Sequence, residues 1–353
     1  MMWTKRLTIV QITTVFKSGE KCDMSNYRGI TVGPVFAKLF TMIIERRLAS
    51  WAEEHGVKAR GQAGFRKNYR TTDNIFVLRS LIDKQKQAKQ KGGSGKLYCC
   101  FVDFKKAFDT VPRALLWQVL EDLGVQGRVW DIIKSMYAHD SAAVRTSAGI
   151  SEIFRCLMGV KQGCPLNPTL FGLYVDGLEK HLLETAGIDA PELGGILAPL
   201  LLYVDDLILM STSPEELQQL DALANFEEFC EQRQLTVNLS KTKIVIFEAR
   251  MSFCREFAFS GTTVERHDEY RYLGFVFDAT KNFCAFRRSR AQARSNPGTG
   301  DRGGRCAAYI YSFQAKHIYI VSRQSLYLLE LILPSVISRP ISDSTTATHA
   351  MWG

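Results

Sequence analysis

Three acidic residues stand beside apolar runs, where an uncompensated charge is costly. Asp205 and Asp206 lie in the middle of LLYVDDLILM (201–210), and Asp103 follows the apolar part of KLYCCFVDF (96–104). Adjacent carboxylates in such surroundings repel each other and lose hydration unless a cation lies beside them. Carboxylate oxygens suit Mg²⁺, and two metal ions about 3.5–4 Å apart stabilise both oxygens of an in-line phosphoryl displacement. The pattern is therefore typical of two strand ends that share divalent cations.

A structural alternative exists for each acid. Asp is common in turns, so Asp205 and Asp206 also fit the tip of an exposed β-hairpin, and residues 201–210 alone do not separate the two interpretations. Asp103 alone fits an acid at a strand end that faces water. The remainder of the chain has to decide between them.

The elements around these acids follow from hydrophobic periodicity. A helical period over residues 34–54 stops before Gly56, and Thr71 or Thr72 can cap a second helix that ends in KQKQAKQKGGSG. Further helices are predicted at 112–123, in WDIIKSMY, after Asn167-Pro168, and from the Ser213 capping box to about residue 232. Strands are predicted at 96–104, 142–146, 153–157, 243–247 and 270–277, and around YVDD. This alternation favours an α/β or α+β fold with a mixed sheet.

Charge, cysteine spacing and apolar runs indicate which kinds of partner, site and location the protein could have. The 353 residues carry a formal charge of +9, which suits a polyanionic partner, although a merely basic soluble protein is also common. The nine cysteines are scattered without C-x-x-C spacing, which argues against a zinc site and a disulfide framework. We find no signal peptide and no apolar run long enough to span a bilayer, so we expect an intracellular, non-membrane protein.

Seven sequence blocks appear in a fixed order along the chain. Together they resemble the reverse transcriptase domain of non-LTR (LINE-type) retrotransposons and, more weakly, group II intron enzymes. YVDD alone would be unspecific, whereas the ordered set, which covers roughly residues 12–280, is very specific. The blocks are YRGITV (27–32), QAGFRKNYRTTDNI (62–75), FVDFKKAFDTV (101–111), KQGCPLNPTLF (161–171), YVDD (203–206), LTVNLSKTK (235–243) and YRYLG (270–274).

The resemblance implies an α+β right-hand polymerase fold, with fingers mainly in 1–95 and a palm mainly in 96–280. Fingers and palm would contain a mixed β-sheet packed by helices, and a palm sheet would carry the carboxylates. Past Asn282 the family's helical thumb is not recognisable, and RRSRAQARSNPGTGDRGGR has the composition of a disordered segment. We therefore expect a degenerate or missing thumb over 281–353, partly disordered, as in a partial copy of an element.

The resemblance also implies roles for the charged residues of the site. Asp103 and Asp205 would bind both catalytic metal ions, and Asp206 would be the neighbouring, less direct carboxylate. Lys241 matches the lysine that protonates the pyrophosphate leaving group, and a surface lysine near bound nucleic acid is the alternative. Arg66 matches the fingers arginine that grips the incoming triphosphate.

Further positions match the nucleotide and primer sites of the family. Phe108 would be the bulky wall against a 2′-hydroxyl, with an ordinary core phenylalanine as the alternative. Arg28 is a weaker triphosphate candidate, for which a structural salt bridge is equally good. The remaining matches are Gln162 and Gly163 along the nucleotide and template, Tyr203 packed near the primer end, and Tyr272, Leu273 and Gly274 as the turn that holds the primer. Asp109 is interpreted as a turn or cap residue before the helix at Pro112.

The implied function is RNA-directed DNA polymerisation. The partners would be an RNA template, a DNA primer and dNTPs, and the cofactors two Mg²⁺ ions, with Mn²⁺ as a substitute; the resemblance implies a nuclear location. One alternative is a catalytically weak relic that only binds RNA or an RNA/DNA duplex through counterion release. Another is a different two-metal palm enzyme such as a cyclase, in which the QG, GFR and YLG blocks would have no reason to occur.

Overall fold

The structure is a computed structural model that describes residues 9–90, 95–146, 149–186, 190–215, 217–218, 222–247 and 256–279. Within these ranges the α-helices are α1 (Val35–Glu54), α2 (Thr71–Gln90), α3 (Arg113–Asp122), α4 (Gly127–Ala138), α5 (Asn167–Val175), α6 (Gly177–Ala186) and α7 (Ala222–Gln232). The strands are β1 (Ile9–Phe16), β2 (Tyr27–Val32), β3 (Leu97–Val102), β4 (Ser141–Thr146), β5 (Gly149–Ile150), β6 (Phe154–Arg155), β7 (Glu192–Leu193), β8 (Ile196–Leu197), β9 (Leu200–Tyr203), β10 (Asp206–Ser211), β11 (Lys243–Phe247), β12 (Phe257–Phe259), β13 (Thr262–Val264), β14 (Glu269–Tyr272) and β15 (Phe275–Asp278).

A four-stranded antiparallel sheet carries the acids, in the order β11-β3-β10-β9. All residues of β3 are buried because both faces of this sheet are covered. Cys100 and Val102 pack into one hydrophobic cluster and Cys99 and Phe101 into another, as the two-residue period of a strand requires. Helix α2 covers the second face with Leu78, Leu81 and Ile82. The acids therefore lie at the ends of strands in a sheet that is covered on both faces.

The second large sheet is mixed. Its order is β2-β1-β4-β5, with β6 also paired to β4, and β1 runs parallel to β4 while the other pairs are antiparallel. This confirms the α+β fold with a mixed sheet, although the mixed sheet is not the one that carries the acids. Its pairing joins residues 9–32 to residues 141–155. The division into fingers and palm near residue 95 stays a prediction.

Several predicted elements are confirmed and one is wrong. The helices predicted at 34–54 and 112–123 and the buried strand predicted at 96–104 correspond to α1, α3 and β3. The single strand expected at 270–277 is instead the hairpin β14–β15, because Leu273 and Gly274 turn the chain with φ of 47° and 87°. The predicted degenerate thumb at 281–353 lies outside the described residues. In the described part of the chain, none of the helices is long and apolar enough to traverse a bilayer.

Candidate active site

Strand register brings the three predicted acids together. Tyr203 pairs with Asp206 across the β9–β10 hairpin, so Val204 and Asp205 form its two-residue turn. The end of β3 pairs Val102 with Leu207, which makes Asp103 and Asp206 the next residues on two neighbouring strands. The hairpin interpretation of YVDD is therefore correct, and Asp103 lies beside the hairpin. That the three acids share divalent cations stays a prediction.

All three acids line one cleft of about 950 Å³, at the upper end of the size range of small-molecule sites. Strand β2 and the residues around Gln162 contribute to the same lining. Cations also line this cleft, and they can face the anionic groups of a ligand. They are Lys17, Arg28, Lys105, Lys106, Lys161 and Lys241. Lys161 is already engaged, since its Nζ lies 2.7 Å from Oδ1 of the buried Asp140.

The electrostatics of the acids show that they repel one another. Burial raises the pKa of Asp205, and Asp103 raises it further while Arg28 lowers it. Burial, followed by the charges of Asp205 and Asp103, raises the pKa of Asp206 to about 6. A bound cation would relieve this repulsion, because opposite charge favours the ionised form.

The donor set fits a divalent cation in its chemistry, since carboxylate oxygens are its preferred ligands. Among the described residues, no three His, Cys, Asp or Glu side chains are close enough to hold one ion as they stand. Asp103 Oδ2 accepts a hydrogen bond from Asn238 Nδ2 at 3.0 Å and lies 3.8 Å from Lys241 Nζ.

We expect Asp206→Asn to stabilise the metal-free protein near neutral pH. Ionising this carboxyl opposes folding, because its pKa is about 6 in the folded protein and 3.8 ordinarily. The penalty therefore grows as pH rises from about 4 to about 6 and is complete above that range. Solvent in the open cleft screens the effect, so we expect a gain of about 1 kcal/mol.

The measurement is urea unfolding of both proteins in EDTA at about pH 8 and about pH 4. The gain should be present at the higher pH, be absent at the lower pH, and shrink when Mg²⁺ is added. A variant less stable than wild type at the higher pH would contradict the repulsion that we describe.

Several predicted nucleotide-site residues lie in the same cleft. Phe108 lines it while its ring stacks on the buried Phe171 with centroids 4.7 Å apart, so it serves both the core and the cleft wall. Gln162 and Gly163 lie against β2, where Thr31 N–H donates to Gln162 O at 2.8 Å. A Cβ on Gly163, whose φ is 103°, would lie 2.7 Å from Thr31 O. Glycine is thus required there by the protein's own backbone.

Asp109 is a turn residue, as predicted, since its N–H donates to Lys106 O at 2.8 Å, and it also lines the cleft. Helix α3 has no side-chain cap, and Gln162 Nε2 donates to Asp109 Oδ1 at 3.2 Å. Burial raises the pKa of Asp109, while the nearby Lys106 is the strongest of the influences that lower it. Asp109 therefore holds the amide of a predicted nucleotide-site residue.

Arg66 does not line the cleft. Its guanidinium donates to both carboxylate oxygens of Glu53, at 2.9 and 2.7 Å, and to the carbonyls of Ala59 and Gln62. The side chain is 11% exposed. In this structure it fastens the QAGFR segment to the end of α1, and its role with a triphosphate stays a prediction.

The other predicted site residues divide into two groups. Tyr203 and Lys241 line the cleft, and burial, followed by Asp206, raises the pKa of the Tyr203 hydroxyl. The predicted primer-turn residues do not line it. Tyr272 is buried, and its hydroxyl accepts a hydrogen bond from Asn74 Nδ2 at 3.1 Å, while Leu273 and Gly274 form the β14–β15 turn. Their contact with a primer stays a prediction.

Sequence reasoning missed two amide side chains. Asn238 binds Asp103 through both its side chain and its backbone N–H, which donates to Asp103 O at 2.7 Å. Gln62 Oε1 accepts from the N–H of Val204, beside Asp205, at 3.1 Å. Both residues lie in sequence blocks that carried the resemblance, and this membership was the one sign that they could matter. The sequence around them does not indicate which groups they bind.

Known proteins resemble this chain over most of its length. The reverse transcriptase (RNA-dependent DNA polymerase) family profile matches residues 17–277. The Pol polyprotein of the type-1 retrotransposable element R2 from Popillia japonica is 27% identical over 279 residues, covering 76% of this chain and 38% of that protein. The RNA-directed DNA polymerase of the mobile element jockey from Drosophila funebris is 24% identical, covering 77% and 29%. The chain thus spans well under half the length of these relatives.

A solved structure supports the fold. Apo telomerase from Candida tropicalis, truncated from its C-terminal domain, superposes with a TM-score of 0.53 at 13% identity. The superposition covers 80% of this chain and 56% of that one. Because the profile matches most of its length, the chain belongs to the reverse transcriptase (RNA-dependent DNA polymerase) family.

Proposed function

We propose that this chain is an RNA-directed DNA polymerase domain that transfers deoxynucleotides onto a primer 3′-hydroxyl. The observation that carries the proposal is the juxtaposition of Asp103, Asp205 and Asp206 in one cleft whose lining also holds several cations. Acids can hold divalent metal ions, and cations can face a triphosphate, so both requirements of nucleotidyl transfer occur in one cavity.

The cleft residues have complementary roles in this proposal. Arg28 and Lys106 would face the phosphates, and Gln162, held by Asp109, would contact the nucleotide. Phe108, fixed by its stack on Phe171, would form a wall beside the sugar. Tyr203 would pack near the primer end. These groups bind and orient the substrate, which lowers the entropic part of the barrier.

The metal ions would be held by Asp103 and Asp205, with Asp206 as the neighbouring carboxylate. Mg²⁺ is the proposed ion, since it prefers oxygen ligands and substrate phosphates, and Mn²⁺ would substitute for it. When bound, two such ions stabilise the attacking and leaving oxygens.

The proposed partners are an RNA template, a DNA primer and dNTPs. Support comes from the relatives named above, from the formal charge of +9 and from a Candida tropicalis telomerase solved with a fragment of telomeric RNA, which superposes with a TM-score of 0.54. We also propose fingers in 1–95, a palm in 96–280 and a nuclear location. A fluorescent fusion tests the location.

Primer extension tests the proposed function. The purified chain should extend a DNA primer on an RNA template when Mg²⁺ is present and should not do so in EDTA. A chain that binds the duplex in a filter assay but adds no nucleotide under any divalent ion would support the binding-only relic instead. The observation that favours that second candidate is that, among the described residues, no three acidic, His or Cys side chains are placed to hold one ion.

Lys241 provides a separate prediction about proton transfer. Its side chain is 66% exposed and lies 3.8 Å from Asp103 Oδ2. If it protonates the pyrophosphate, Lys241→Ala should lower the single-turnover rate on the order of 10²-fold. Lys105→Ala, which removes another cation of the cleft lining, should lower it much less. Equal, small effects of the two variants on rate would return Lys241 to the surface-lysine interpretation.

A further inference from the structure

The turn that carries Asp205 has an unusual backbone. Val204 is the first of its two central residues, and its φ of 66° is in the left-handed region. A β-branched residue rarely adopts this conformation, because its Cβ crowds the backbone. Val204 is also only 5% exposed. Surrounding contacts must therefore hold the turn in place.

A loop of residues 61–64, which we call the Gln62 loop, lies directly against this hairpin. Leu202 N–H donates to Gly61 O and Ala63 N–H donates to Leu202 O, each at 2.9 Å. A Cβ on Gly64 would lie 2.4 Å from Val204 Cγ2 and 2.6 Å from Val204 N. The glycine permits the loop backbone to touch the turn.

The Gln62 side chain is the polar link between loop and turn. It is 2% exposed, and its Oε1 accepts from Val204 N–H at 3.1 Å and Gly64 N–H at 2.8 Å. Two backbone donors require the oxygen of the amide on this side, so the NH₂ group must point the other way. There it donates to Asp176 Oδ1 at 3.2 Å.

Asp176 follows the end of α5 and is 4% exposed. Its Oδ2 is buried and has no hydrogen-bond partner among the described residues. Burial raises the pKa of Asp176 to about 7; Gln62, Lys58 and Arg66 lower it, and Glu179 raises it. Burying an acid with one unpaired oxygen costs folding free energy. Its role in orienting the Gln62 amide would explain why an acid stands at this position.

We infer that Gln62 is a positioning residue for the polymerase site: it holds Val204 N–H and thereby the backbone of Asp205, and Asp176 sets the orientation of the Gln62 amide. The inference rests on the proposed function, because it takes Asp205 to be a metal ligand. Neither Gln62 nor Asp176 lines the cleft, so both act through the hairpin.

Gln62→Leu removes the acceptor of a buried N–H. The peptide that contains Val204 should then exchange its amide hydrogen at least about tenfold faster. The affinity for Mn²⁺, measured by electron paramagnetic resonance of the full chain, should also fall about tenfold, because the backbone that carries Asp205 loses the hydrogen bond that positions it. In single-turnover extension the maximal rate should fall while the nucleotide KM changes less than about twofold, because the substrate contacts are intact.

A compensating pair tests the role of Asp176. Gln62→Glu keeps an oxygen that can accept from the N–H groups of Gly64 and Val204, but it sets a carboxylate oxygen against Asp176. Adding Asp176→Asn supplies an NH₂ donor to that carboxylate, so the double variant should recover Mn²⁺ affinity to within about threefold of wild type. Thermal unfolding verifies that each variant is folded; if Gln62→Leu does not fold, the single and double Glu variants carry the test.

A matched control is available in Gln218, whose amide also bridges backbone groups, with both the N–H and the carbonyl of Ala258 as partners. Gln218→Leu should leave Mn²⁺ affinity and maximal rate unchanged. Wild-type values of exchange and Mn²⁺ affinity in folded Gln62→Leu would overturn the inference, as would a double variant no better than Gln62→Glu. If the variants change Mn²⁺ affinity as expected but the wild-type chain extends no primer, the proposed function is overturned instead and the inference about Gln62 is not.

Discussion

Asp205→Asn is expected to reduce the single-turnover rate of nucleotide addition by about 10³-fold or more. An amide cannot supply the charge of a carboxylate, and metal stabilisation of developing charge is worth several kcal/mol. Asp103→Asn should have a similar effect, because Asp103 occupies the adjacent strand end and interacts electrostatically with Asp205. Asp206→Asn should reduce the rate less.

The control for this prediction is Asp122→Asn, which changes an exposed acid at the end of α3. It should extend primers at the wild-type rate. All the Asn variants should bind an RNA/DNA duplex with near wild-type affinity, since phosphate contacts supply most of that affinity. A near wild-type rate in Asp103→Asn or Asp205→Asn would show that the metal assignment is wrong.

Phe108→Val is expected to let ribonucleotides compete with deoxynucleotides. The ring is held against Phe171 and lines the cleft, so shortening it removes a wall beside the 2′ position of the sugar. Packing alone discriminates against an added hydroxyl by about 10²-fold, and most of that ratio should disappear. The measurement is kcat/KM for a matched dNTP and rNTP.

Phe171→Leu separates this effect from loss of packing. It removes the stacking partner of Phe108 from the core without altering a side chain of the cleft lining. It should cost stability, as buried truncations do, and keep most of the sugar discrimination. An unchanged ratio in a folded and active Phe108→Val would make Phe108 an ordinary core residue.

The sequence was informative where local patterns decide the structure. The buried strand β3 and helix α1 follow from apolar residues at periods of two and 3.6, and Asp103 stands out because it interrupts such a pattern. Strands β1 and β2 were not predicted, although β1 (IVQITTVF) is rich in the β-branched residues that are typical of strands. Its parallel partner β4 lies more than a hundred residues away, so the pairing could not be predicted from local sequence. The hydrophobic pattern missed the hairpin β14–β15 because Leu273 is not a typical residue for positive φ, although the resemblance had implied a turn at Tyr272, Leu273 and Gly274.

The site was predictable in its acids and much less so in what supports them. An acid beside an apolar run can be recognised from the sequence, because burying its charge is costly. The role of an amide such as Gln62 depends on its partners Asp176 and Val204, each more than a hundred positions away. For Arg66, the role implied by the resemblance differs from the contact that the structure shows. Its match to a family position predicts a triphosphate contact, while its charge is satisfied by Glu53, only thirteen residues before it.

Template-directed choice of nucleotide is the most direct test of the central claim. Four RNA templates that differ only in the first unpaired base are annealed to one DNA primer, and each is offered the four dNTPs singly with Mg²⁺. The full wild-type chain should add the complementary nucleotide in each case, and Asp205→Asn should add none. Addition that ignores the template base, or no addition by a folded wild-type chain that binds the duplex, would contradict the assignment of this cleft as an RNA-directed DNA polymerase site.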